Sequence, residues 1–149
     1  IENLAIGQII EVDGSRLVAE LNPTLSELSR VYAGETYPIG QFGSIIRIHF
    51  GRRLVYALVG RLRMKSEFQS ERGLVPASFF DERIVEADLF GEGEWVHGAS
   101  GEWELRFERG VSTYPLPQQT VYLTPKAELR FIYGKRLLQN PLVTWASRP

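Results

Sequence analysis

Residues 44–64 read "SIIRIHFGRRLVYALVGRLRM". Ile46, Ile48 and Phe50 alternate with Ile45, Arg47 and His49, which is strand period, and after a turn at Gly51 comes the nearly continuous apolar run "LVYALVG". An apolar run of that length between turn residues suits a central strand covered on both faces. Upstream, "IGQIIEVDGSRLVAEL" predicts a strand over about Ile6–Val12, a tight turn at Asp13 and Gly14, and a return strand over Arg16–Leu21. Asp-Gly between two apolar runs is a strong hairpin signal, because a two-residue turn matching strand twist needs positive φ. The intervening "NPTLSELSRV" suits a loop with at most one helical turn.

Downstream, the stretch from Lys65 to Phe80 is irregular and is broken by Pro76, so it is taken as a surface excursion rather than a domain boundary. Alternation then returns. Val85, Ala87 and Leu89 face one way and Glu86 and Asp88 the other, and beyond a glycine-rich turn Trp103, Leu105 and Phe107 alternate with Glu102, Glu104, Arg106 and Glu108. That pattern predicts a half-buried antiparallel pair with a solvated acidic face. In "YPLPQQTVYLTPKAELRFIYG", Pro115 and Pro117 fix φ and stiffen the entry to a "TVYL" strand. A helix follows, with Thr124 as N-cap, Pro125 in its first turn and Gly134 as its stop. A strand at "LVTWA" ends the sequence. Six or more short strands with one late helix predict a mainly β fold: a small closed antiparallel β-barrel, one domain over residues 1–149.

Composition removes several functions. Seventeen basic against eighteen acidic side chains leave no overall positive field for nucleic acid or anionic lipid, so any such contact needs a local patch. No cysteine means no disulfide framework and no thiolate chemistry, which fits a cytoplasmic protein. No apolar run approaches the roughly 20 residues that cross a bilayer. The two histidines, His49 in a strand and His97 in a glycine-bounded turn, lack the converging ligands of a metal site and are expected to be structural. The carboxylates Glu86, Asp88, Glu102, Glu104 and Glu108 recur at strand period, as a solvated sheet face does. A phosphate-binding loop is absent: "YGKRL" has a Gly-Lys pair, but arginine replaces the hydroxyl residue and Leu129 stands where the first glycine belongs. Arg47, Arg52, Arg53, Arg61, Arg63 and Lys65 cluster around the second hairpin with Tyr56 and Phe68 interleaved. A groove of that composition would make a single-stranded nucleic-acid-binding barrel, the alternative function. The other readings of the cluster are solvated or paired arginines and a subunit interface.

The order of "IGQIIEVDGSRLVAEL", "YPIGQFGSIIRIHFGRRLVYALVGRLRM", "RFERGVSTYPLPQQTVYLTPKAELRFIYG" and "LVTWAS" resembles the N-terminal HAS-barrel of HerA-like ATPases in the FtsK/HerA superfamily. In that family the barrel precedes a RecA-like motor, assembles into a hexameric ring of copies of itself, and forms the face on which a partner nuclease or effector docks. The resemblance implies a non-catalytic domain with no cofactor of its own. ATP and Mg belong to a motor expected downstream, and DNA is reached through the parent assembly, in DNA processing or anti-phage defence. Ring contacts join different faces of neighbouring subunits. Candidate contact residues are Arg52, Arg53, Tyr114, Leu116 and Trp145, each in a turn or near an end, although large apolar residues such as Tyr114, Leu116 and Trp145 more often serve the core.

Overall fold

The computed structural model describes residues 4–22, 29–39, 43–64 and 83–139. The Lys65–Phe80 excursion, the "LVTWA" strand and Trp145 lie outside them. Strands β1 (Ala5–Asp13) and β2 (Arg16–Leu21) form the first hairpin. Asp13 pairs with Arg16, so the turn is Gly14–Ser15 rather than Asp13–Gly14, and Gly14 supplies the positive φ of 58°. Next, β3 (Ser29–Tyr32) and β4 (Glu35–Pro38) make a separate small hairpin, so the end of the expected loop over Asn22–Val31 is strand. Tertiary anchoring explains this hairpin better than local pattern does: Tyr37 is buried and its hydroxyl accepts the Lys126 amide.

The second hairpin is β5 (Ile45–Phe50) and β6 (Arg53–Met64), turning at Gly51–Arg52. Then come β7 (Arg83–His97), β8 (Trp103–Arg109), β9 (Thr120–Leu123) and helix α1 (Lys126–Gln139). The sheet runs β2-β1-β9-β5-β6-β7-β8, and β2 also pairs with β7, which closes six strands into an antiparallel barrel and leaves β8 outside it. Inside lie Ile6, Ile9, Leu17, Ile46, Ile48, Val55, Ala57, Val59, Val85, Ala87, Val121 and Leu123. Leu54 to Ala57 are all buried, as the apolar run requires of a strand covered on both faces. The outward set, Ile45, Leu54 and Tyr56, packs with Leu105, Phe107 and Ile132 beneath α1.

Strand β7 serves two partners in turn. Residues 84–88 pair with β2 and residues 91–97 pair with β8, so its second half carries the sheet away from the barrel. Gly91 stands where the halves meet. A Cβ there would lie 2.4 Å from the Phe107 ring and 2.8 Å from the Glu108 carbonyl oxygen, which only glycine avoids. The glycine-rich stretch is therefore mostly strand, and His97 is the last residue of β7 rather than part of the turn.

Helix α1 starts differently from expectation. The Pro125 carbonyl accepts from the Glu128 and Leu129 amides, while Thr124 Oγ1 has no partner among the described residues and so caps nothing. Gly134 does not stop the helix, which runs on to Gln139. An interior glycine costs about 1 kcal/mol against alanine, and packing of Leu129 and Ile132 on the sheet offsets it. Among the described residues no helix is long and apolar enough to cross a membrane.

Candidate functional site

The outer face of the barrel carries a cross-strand row: Tyr122 of β9 opposite Arg47 of β5, opposite Tyr56 of β6. Strand alternation puts Arg47 on this face beside apolar neighbours, and the first turn of α1 lowers Glu128 onto it. Arg47 Nη1 donates to Glu128 Oε2. The Tyr56 hydroxyl donates to Oε1 at 2.6 Å and Trp95 Nε1 donates to Oε2 at 3.1 Å. Arg47, Tyr56 and Glu128 are all buried. A buried carboxylate is tolerated only when paired and hydrogen-bonded, and this one has three donors from three strands. Burial raises the Tyr56 pKa far above its ordinary value, and the Glu128 charge adds to that, so Tyr56 stays protonated and donating. His49, one strand step beyond Arg47, stacks on Tyr122 with centroids 4.3 Å apart. Burial first, and the Arg47 charge second, lower its pKa and favour the neutral ring. With its charge met by Arg47 and both oxygens accepting hydrogen bonds, the Glu128 carboxylate fastens α1 to the sheet.

A second carboxylate ties the rim. Buried Glu92 accepts the Ser112 hydroxyl at 2.6 Å, the Ser112 amide at 3.1 Å and, in an ion pair at 3.3 Å, Arg53 Nη2. Burial alone would raise its pKa; the two Ser112 hydrogen bonds and Arg53 outweigh burial and hold it below the ordinary value. Glu92 thus joins the β5–β6 turn to the loop between β8 and β9, and Arg53, expected as a contact residue, is partly occupied within the domain. Its neighbour Arg52 has no ion-pair partner among the described residues and lines an open groove of about 630 Å³ with Glu94, Trp95, Val96, His97 and Trp103. The His97 and Trp103 rings lie 3.8 Å apart, tilted by 39°, and Trp103 is 61% exposed.

The proline corner leads into β9. Gln118 donates its amide to Ile9, Ile9 donates back to the Gln119 carbonyl, and the Gln119 side chain accepts the Leu116 amide. Pro115 is buried, whereas Tyr114 and Leu116 on either side are 51% and 65% exposed. The basic cluster does not form a groove among the described residues. Arg47 is buried against Glu128, Arg53 pairs with Glu92, and Arg61 and Arg63 both lie beside Glu86, at 3.8 Å and 3.3 Å. Tyr56 is under α1, and Lys65 and Phe68 lie outside the described residues. Among the described residues no three His, Cys, Asp or Glu side chains are placed to hold a metal ion.

Sequence reasoning missed Glu128 and Glu92. For Glu128 a signal existed: it lies one helical turn before Ile132, on an apolar stripe, and Arg47 interrupts an otherwise apolar stretch of strand. For Glu92 there was none, because it sits in a run of glycines and carboxylates that resembles solvated turn.

What the geometry defines is a closed antiparallel barrel with a helix locked on one face and a β-ribbon at its side. Compared with protein-family models and with curated proteins, the chain matches none.

Proposed function

We propose that this domain is a non-catalytic assembly and docking barrel of the HerA-like type, working in the cytoplasm as a spacer repeated around a ring and presenting a face to a nuclease or effector. The observation that supports it is the closure of the barrel through β2 and β7. Closure leaves the six barrel strands without a free edge, so the only edge of this sheet among the described residues is that of β8 and open-ended strand-to-strand growth is blocked. The Glu128 fastener supports the same role, since a contact surface that includes a helix must hold that helix still. Arg52 at the groove, with Tyr114 and Leu116 on the corner, are the surface groups available to heterologous contacts. Nucleotide and magnesium chemistry falls to the motor that this function places downstream, and DNA is reached through that motor.

The test is the protein encoded when the reading frame is followed past Pro149. It should carry a phosphate-binding loop within a few dozen residues, and light scattering should give the mass of a ring. Arg52→Glu combined with Leu116→Asp should lower that mass while leaving the circular dichroism of the barrel intact. A longer protein without such a loop, or a monomer, sinks the proposal. Salt-dependent binding of labelled single strands by this domain alone, lost in Arg52→Glu, would favour the nucleic-acid alternative instead.

A further inference from the structure

We infer that the free edge of β8 is a two-fold pairing surface for a second copy of this chain. This inference stands apart from ring assembly, which needs contacts between unlike faces. Strand β8 pairs with β7 on one side, and among the described residues no strand lies on the other. The polarity of its edge follows from the flanking hydrogen bonds. The Gly98 amide donates to the Glu102 carbonyl and the Gly110 amide to the Phe90 carbonyl, so even-numbered residues of this strand bond toward β7. By alternation the N–H and C=O groups of Trp103, Leu105 and Phe107 point away from it. The strand is seven residues long with neither proline nor register shift. Such an edge is a template for pairing unless something blocks it.

Side chains then select the partner and its register. On the face opposite α1, β8 presents Glu104, Arg106 and Glu108, with alternating sign. An antiparallel copy centred on Arg106 would oppose Arg106 to itself and Glu104 to Glu108, and like charges directly opposite are destabilising. A copy centred on Leu105 instead opposes Glu104 to Arg106 twice, in the closely spaced non-hydrogen-bonded positions, and sets Glu102 against Glu108 only past the end of the strand. The outward-pointing groups of Leu105 meet those of the partner's Leu105, and Trp103 meets the partner's Phe107. That register gives exposed Trp103 an aromatic cross-strand neighbour and uses the free backbone groups of all three odd residues. Because the two-fold axis is perpendicular to the sheet, both α1 helices lie on the same face.

Sedimentation of the chain over a range of concentrations tests this. The wild type is expected to dimerise reversibly. Glu104→Arg alone, and Arg106→Glu alone, should each weaken the dimer about tenfold or more, since two favourable pairs become repulsive. An equimolar mixture of the two variants should form heterodimers as tight as the wild type, because each Arg again faces a Glu. Both side chains are exposed, but Arg106 stands opposite Glu94 of β7, so circular dichroism must show that Arg106→Glu keeps the β7–β8 pair, and hydrogen exchange gives a second readout: the Trp103, Leu105 and Phe107 amides should slow with concentration. A chain that stays monomeric, a dimer indifferent to Glu104→Arg, or a mixture that fails to restore association would overturn the inference. An edge already filled by another segment of the same chain would show as the monomeric outcome with those amides slow at every dilution.

Discussion

The two sides of the same sheet are held by opposite means. Inside the barrel, aliphatic side chains from six strands share the burial. On the outside, an apolar patch of Ile45, Leu54, Leu105, Phe107 and Ile132 is interrupted by one ion pair that also receives Tyr56 and Trp95. Apolar packing is distributed, so losing one methylene leaves the rest in place. The outer face depends on one carboxylate, and its removal leaves a buried guanidinium, the buried Tyr56 hydroxyl and the part-buried Trp95 N–H without their acceptor.

The sharpest way to break this contrast is Glu128→Ala against Ile48→Val, both read by urea unfolding. Removing one partner of a buried pair costs about 3–5 kcal/mol, whereas Ile→Val in a packed interior costs about 0.5–1.5 kcal/mol. Replacing both partners, with Arg47→Met and Glu128→Leu, should recover most of the loss, because no buried charge then remains. Equal costs for Glu128→Ala and Ile48→Val would end the contrast.

A smaller effect is expected at the junction between barrel and ribbon. Gly91→Ala forces a methyl into the Phe107 ring and the β8 backbone, and overpacking of this kind typically costs about 1–3 kcal/mol. The damage should be local. Amide exchange across β7–β8 should quicken before exchange across β2–β7, since the barrel closes through the other half of the strand. Uniform quickening would show that ribbon and barrel are a single cooperative unit.

The interior was legible in the sequence because its signal is periodic. Ile46 and Ile48, Val55 and Ala57, Val85 and Ala87 all repeat every second residue and all turn inward. The Asp-Gly hairpin was readable for the same local reason, to within one residue. What escaped depends on partners distant in sequence. Glu128 and Arg47 are separated by 81 positions, and β3–β4 shows its anchor only once Tyr37 is seen against Lys126. Gly134 misled because a stop signal is a local cost, and packing on the sheet overrides it. The acidic stretch misled most, since period alone cannot distinguish Glu104 in solvent from Glu92 under Arg53 and Ser112.

The smallest expected effect is on pH dependence, and it separates rim from outer face. Glu92 has a folded pKa below its ordinary 4.5, so its stabilisation is complete above that value and is lost as the pH falls through the lower folded pKa. His49 is also lowered, from 6.5, but for a base this means that the unfolded chain takes up the proton first. Its share of stability therefore falls as the pH drops below 6.5 and stops falling once the folded ring is protonated too. Unfolding midpoints measured from pH 8 downward should show a shallow first decline from His49 and a later one from Glu92. Subtracting the Glu92→Gln curve from the wild type should isolate the acidic step, and subtracting His49→Phe should isolate the step near neutrality. If both differences were flat with pH, neither group would be titrating with folding, and the outer face and rim would be held by packing as the interior is.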